Sequence, residues 1–109
     1  MTEPTHCLVL TTVDSAAAAD RLATAVVSAR AAACAQVVGP MRSTYRWEGA
    51  LTTDEEWQVV MKTTVDAVDR LTEQITAHHT YDLPEILAVP VLGGAAAYLR
   101  WVTDETRAP

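Results

Sequence analysis

Hydrophobic and polar positions along the 109-residue chain change period several times, and each change marks an element. "CLVLTTV" (7–13) is short, apolar and β-branched, as a buried first strand should be. Asp14-Ser15 then offers a helix N-cap before "AAAADRLATAVVSARAAA", where Ala18, Leu22, Ala25, Val26 and Ala29 fall on one stripe and Asp20, Arg21, Ser28 and Arg30 off it. That spacing predicts a helix of roughly four turns.

From Cys34 the period shortens to two. In "CAQVVGPMRSTYRWEG" Ser43, Tyr45 and Trp47 alternate with Arg42, Thr44 and Arg46, a strand with two distinct faces. Gly39-Pro40 within it predicts a bulge or an edge position, because proline cannot donate to a ladder. "EGALTTDE" (48–55) reads as a hairpin loop, and "EWQVVMKTT" (56–64) alternates again, with Trp57, Val59 and Met61 on one face. "VDAVDRLTEQITAHH" (65–79) returns to helical spacing through Val68, Leu71 and Ile75. "EILAVPVL" (85–92) is a last strand, marked as an edge by Pro90, and Gly93-Gly94 precedes a short amphipathic helix in "AAAYLRWVTDE".

The order βαββαβ plus a terminal helix predicts an α+β fold. It is the ferredoxin-like sandwich, one antiparallel sheet with both main helices on one face, in a single domain spanning 1–109. In that topology the second and fourth strands are the edges, and they hold Pro40 and Pro90. A long edge carrying Tyr45 and Trp47 leaves apolar area that one helical layer does not cover, which predicts self-association.

Charge narrows the partners. Eight basic against fourteen acidic residues give a net charge of −6, the wrong sign for nucleic acid, whose binding draws on Lys and Arg. The first strand also lacks the aromatics on which ferredoxin-like RNA binders stack bases. No stretch is apolar enough for a membrane span, and "MTEPTHCLVLTT" lacks the basic region of a signal peptide. Cys7 and Cys34 imply no disulfide framework and read as reduced, buried thiols, which predicts a cytoplasmic protein.

The densest chemistry is "HHTYDLPE" (78–85). Adjacent helical histidines diverge by about 100° and share an ion only where the helix has unwound. A site using His79 and Glu85 needs a further ligand from elsewhere. The alternative is a joint, with histidines meeting the helix C-terminus and Leu83-Pro84 setting an extended entry to the strand. No serine stands in a nucleophile elbow, Cys34 has no adjacent base, and four glycines form no phosphate-cradling loop, so no enzyme is expected. Lys62, between apolar residues near a strand end, reads as a snorkelling lysine or part of a polar pocket. Tyr98 and Trp101, at i and i+3, pack one aromatic helix face onto the sheet or a neighbouring subunit.

Together these segments resemble the CutA family of divalent-cation tolerance proteins, from about Leu8 to Trp101. "ARAAACAQV" (29–37) is similar to its R-L-A-A-C-V-N segment, "STYRWEG" (43–49) to its S-x-Y-x-W-x-G hairpin and "KTT" (62–64) to the end of its third strand. "HHTYDLPE" is similar to H-P-Y-E-x-P-E, and "AYLRW" (97–101) to Y-L-x-W. The resemblance implies a tight homotrimer whose long hairpin reaches into neighbours. It also implies a role in metal-ion tolerance, with no tightly bound cofactor and with Cu(II) or another divalent cation as ligand at His79 and Glu85. Thr80 and Asp82 depart from the motif, and Thr11 stands where some members carry a cysteine proposed as a copper ligand, a loss that weakens Cu(I) preference. The alternative is a small-molecule-sensing trimer of the PII type, with Tyr45, Trp47, Lys62, Tyr81, Glu85 and Trp101 lining clefts between subunits.

Overall fold

The computed structural model describes residues 3–108. Its strands are β1 (His6–Val13), β2 (Cys34–Trp47), β3 (Ala50–Thr64) and β4 (Leu87–Val91), and its helices are α1 (Ala16–Ser28), α2 (Val68–His78) and α3 (Ala96–Glu105). The sheet runs β2-β3-β1-β4, with every pair antiparallel. The fold is therefore the expected α+β ferredoxin-like sandwich with an added C-terminal helix, and Pro40 and Pro90 lie on the two edges.

Alternation on β1 decides which side is core. Cys7, Val9, Thr11 and Val13 are buried, and Val59 and Met61 join them from β3. Apart from Thr11, they meet Leu22 and Val26 of α1 and Leu71 and Ile75 of α2 in one apolar cluster. With interiors packed at crystal density, truncating a fully buried leucine such as Leu22 to alanine costs about 2–5 kcal/mol.

Helix α1 starts where Ser15 Oγ accepts the Ala18 N–H at 3.0 Å. It stops at Ser28 rather than running through the alanines. Arg30 turns left-handed at φ 60°, and the Ala31 and Ala32 amides both return to the Val26 carbonyl. Ala31 to Ala33 are then buried as a connector into β2.

Three boundaries depart from expectation. The predicted hairpin loop at 48–55 is mostly strand: only Glu48 and Gly49 turn, at φ 49° and 80°, and Trp47 already pairs with Ala50. Two consecutive positive φ values make the tight turn that matches strand twist. Residues 50–55 escape the periodicity because the ribbon projects from the body and buries neither face. The last strand begins at Leu87 rather than Glu85, and the second helix opens with a 3₁₀ turn at Val65–Ala67.

The Gly39-Pro40 bulge appears as a register shift between Val38 and Met41 on β2. The sheet face away from α1 and α2 carries Leu8, Leu10, Val38, Val60, Leu87 and Val89, by pairing register, with Val38, Leu87 and Val89 exposed. Helix α3 covers one end of the structure. His6 Nε2 donates to the Leu99 carbonyl at 2.9 Å, and Arg30 and Arg70 each donate to a carbonyl at the helix end, Asp104 and Thr106, at 2.7 Å. Cationic side chains at a helix C-terminus meet its partial negative charge.

Candidate functional site

A cleft of about 570 Å³ lies between the projecting β2–β3 hairpin and the loop that follows α2. The hairpin contributes Ser43, Thr44, Tyr45 and Trp47; the loop contributes Thr80 to Leu83 and Glu85; Thr12 and Glu56 complete the lining.

His79 explains how that loop is placed. It is the C-cap of α2, with extended backbone at φ −83° and ψ 146°. Nδ1 accepts the Tyr81 backbone N–H at 3.0 Å, so Nδ1 is the unprotonated nitrogen. Nε2 then carries the proton and donates to the Thr12 carbonyl at 2.9 Å, with Thr11 Oγ1 at 3.1 Å. Both ring nitrogens are committed to tying the loop to the end of β1. A metal can use His79 only by displacing one of these partners. Thr11, the position of some members' cysteine, is fully buried beside this ring.

The imidazole also packs on Tyr81, with ring centroids 5.0 Å apart. The Tyr81 hydroxyl donates to Glu56 Oε2 at 2.8 Å, and burial together with that carboxylate pushes the phenol strongly up. Glu56 is only 6% exposed. Glu85 is also pushed up, first by burial and then by the charge of Glu56. On the opposite wall, the Tyr45 hydroxyl donates to Asp54, and that hydrogen bond raises the phenol in turn.

The structure thus brings Tyr45, Trp47, Tyr81 and Glu85 into one cleft. It does not bring Lys62 or Trp101 there within a protomer. Lys62 lies six residues along β3 from Glu56, about 20 Å at strand rise. It donates to the Tyr98 hydroxyl at 3.3 Å, with its ammonium 5.4 Å from the ring centroid, and Trp101 packs against the same tyrosine at 5.5 Å. His79 lies behind the loop rather than in the lining, and His78 is exposed at the helix end. Among the described residues no three His, Cys, Asp or Glu side chains are grouped as a metal site.

Glu56 is the residue that sequence reasoning missed. Its signal was an acid directly before Trp57 on an alternating strand; what hid it was the loop assigned just upstream. The lining holds three acids, Glu56, Asp82 and Glu85, and no Lys, Arg or His. Such a cleft attracts cations and repels phosphates and carboxylates.

Comparison with known proteins agrees over almost the whole chain. The family model described as CutA1 divalent ion tolerance protein matches residues 7–105. Protein CutA 1, chloroplastic, of Oryza sativa subsp. japonica is 41% identical over 100 residues, covering 92% of this chain and 56% of that protein. The divalent-cation tolerance protein CutA of Thermus thermophilus is 40% identical over 99 residues, 91% of this chain and 96% of that one. The crystal structure of CutA1 from Oryza sativa superposes with a TM-score of 0.92 at 39% identity, covering 98% of each chain. The chain spans only about half the length of the rice and Arabidopsis relatives.

These relatives correct the cytoplasmic expectation. The rice and Arabidopsis proteins are named chloroplastic, and an Archaeoglobus fulgidus structure is described as a periplasmic divalent cation tolerance protein. The thiols were a poor guide to compartment. Cys7 points into the core and Cys34 to the opposite sheet face with β3 between them, so they cannot pair under any redox condition. No described helix is long and apolar enough to cross a membrane. With a family match across residues 7–105 and relatives at about two-fifths identity, the chain belongs to the CutA1 divalent ion tolerance protein family.

Proposed function

We propose that the protein acts as a homotrimer in divalent-cation tolerance, responding to cations held at the cleft beside the hairpin. One observation carries this reading: Glu56 is buried in an acidic lining that contains no basic side chain. A buried carboxylate is costly unless a cation neutralises it. Glu56 and Glu85 are the ligands closest to hand; His79 joins them only by releasing Tyr81 or Thr12. A binding role is supported by the family's description as divalent ion tolerance proteins and by the acidic lining of the cleft. Self-association is supported by the apolar sheet face that α1 and α2 leave open, with Val38, Leu87 and Val89 exposed; the number three comes from the family resemblance.

A second reading is favoured by the committed nitrogens of His79 and the aromatic walls: a PII-like sensor of small molecules. Lys62 and Trp101 would then reach the cleft from a neighbouring subunit. Titration of the purified protein with Cu(II) and Zn(II), with and without Glu56→Gln, separates the two. Saturable metal binding lost in the variant supports the first. No metal binding, with a tryptophan fluorescence response to metabolites, supports the second.

A further inference from the structure

The cleft is far larger than an ion and is built as more than a set of oxygens. Tyr45 and Trp47 form one wall and Tyr81 the other, with the three carboxylates between. Two of the rings are pinned by their hydroxyls, Tyr81 to Glu56 and Tyr45 to Asp54, so they are oriented before any ligand arrives. Among the described residues Tyr81 is the only hydrogen-bond donor to the Glu56 carboxylate, and no ion pair reaches it. One neutral donor leaves a buried anion without a counter-charge.

A bare metal would satisfy the charge and leave the rings idle, and no three donors are grouped to chelate it among the described residues. Aromatic faces attract cations, and clusters of them are how quaternary ammonium groups are recognised. A volume of about 570 Å³ is within the range of small-molecule pockets. We infer that the cleft takes an organic cation, a small aliphatic amine or quaternary ammonium, whose charge sits against Glu56 and Glu85 while its alkyl part packs on Tyr45, Trp47 and Tyr81. This rests on the cation-site reading above and names its ligand class. Hydroxyls of Thr12, Ser43 and Thr80 supply acceptors for ammonium protons.

The test is calorimetric titration of the purified protein with 1,4-diaminobutane and with tetramethylammonium, beside Cu(II) and Zn(II). Both amines should bind saturably. Glu56→Gln, whose amide oxygen still accepts from Tyr81, should weaken both by about tenfold. Trp47→Leu, at a half-exposed position, should weaken tetramethylammonium by removing one aromatic wall. Circular dichroism confirms that each variant is folded. Failure of both amines to bind up to about 10 mM, or wild-type amine affinity in both variants, overturns the inference. If the metals bind and lose affinity in Glu56→Gln while the amines do not bind, the cation site stands and its organic ligand falls. Silence of both ligand classes removes the site as well.

Discussion

At the scale of single residues, the short stretch from His78 to Glu85 acts as a joint before anything else. Sequence alone could identify the helix end and the proline-led exit, because both follow from local chain geometry. It could not show that His79 satisfies three groups at once, since Thr11 and Thr12 lie 67 or more positions away. Removing that ring leaves the Thr12 carbonyl and the Tyr81 amide without partners. His79→Ala should therefore cost about 1–3 kcal/mol in denaturant unfolding, whether or not copper is present. An unchanged unfolding midpoint would show that the imidazole is free for other work. Glu85 makes the complementary prediction. Its folded carboxyl is raised, by burial and then by Glu56, so the folded state holds its proton more tightly than the unfolded chain does. The resulting stabilisation is complete below the ordinary glutamate value of about 4.3 and is lost as pH rises through the raised value. Glu85→Gln should accordingly be more stable than wild type at pH 7, and the gap should close toward pH 4. Urea midpoints at the two pH values check this; a gap that widens in acid would reverse the sign.

At the scale of elements, legibility followed burial. β1, α1 and α2 each pack one face on the core, so their periods are clean and their existence was readable. The outer half of the β2–β3 ribbon buries nothing in the protomer, and Thr52, Thr53, Asp54 and Glu55 carry no alternation to read. Only the Glu48-Gly49 turn betrays it. The bulge at Gly39 was legible through Pro40, but the reason for the glycine was not. A Cβ at Gly39 would overlap Trp57 Cδ1 and stand 2.8 Å from Cγ, and that indole is packed on the core cluster. Gly39→Ala must therefore push the ring or the edge strand, at about 1–3 kcal/mol. Gly93→Ala, where a Cβ would meet nothing within 4 Å, should stay within about 0.5 kcal/mol of wild type. Equal effects of the two substitutions in thermal unfolding would mean that Trp57 yields freely.

At the scale of the whole molecule, the single chain leaves two things unfinished. Lys62, Tyr98 and Trp101 gather at one end of the sheet and the acidic cleft lies at the other, so Lys62 and Trp101 are parted within a protomer from the cleft residues with which the sensor reading groups them. The sheet meanwhile presents Val38, Leu87 and Val89, exposed beside the half-buried Leu10 and Val60, on the face away from α1 and α2, which α3 covers only at the His6 and Lys62 end. Exposed apolar patches of that extent mark association sites, and obligate interfaces of this kind couple folding to assembly. Wild type should sediment at about three times 11.8 kDa at micromolar concentration and resist dissociation on dilution. Leu87 offers the sharpest probe. It lies on the edge strand β4 and is 56% exposed in the protomer, so a charge there costs an isolated chain little. In a trimer the same charge is buried without a partner and costs several kcal/mol per subunit. Leu87→Asp should therefore shift the protein to monomer and lower its midpoint of unfolding, with a midpoint that no longer depends on protein concentration. A wild type that sediments as a monomer, or a Leu87→Asp variant that assembles unchanged, would place the covering of this face elsewhere.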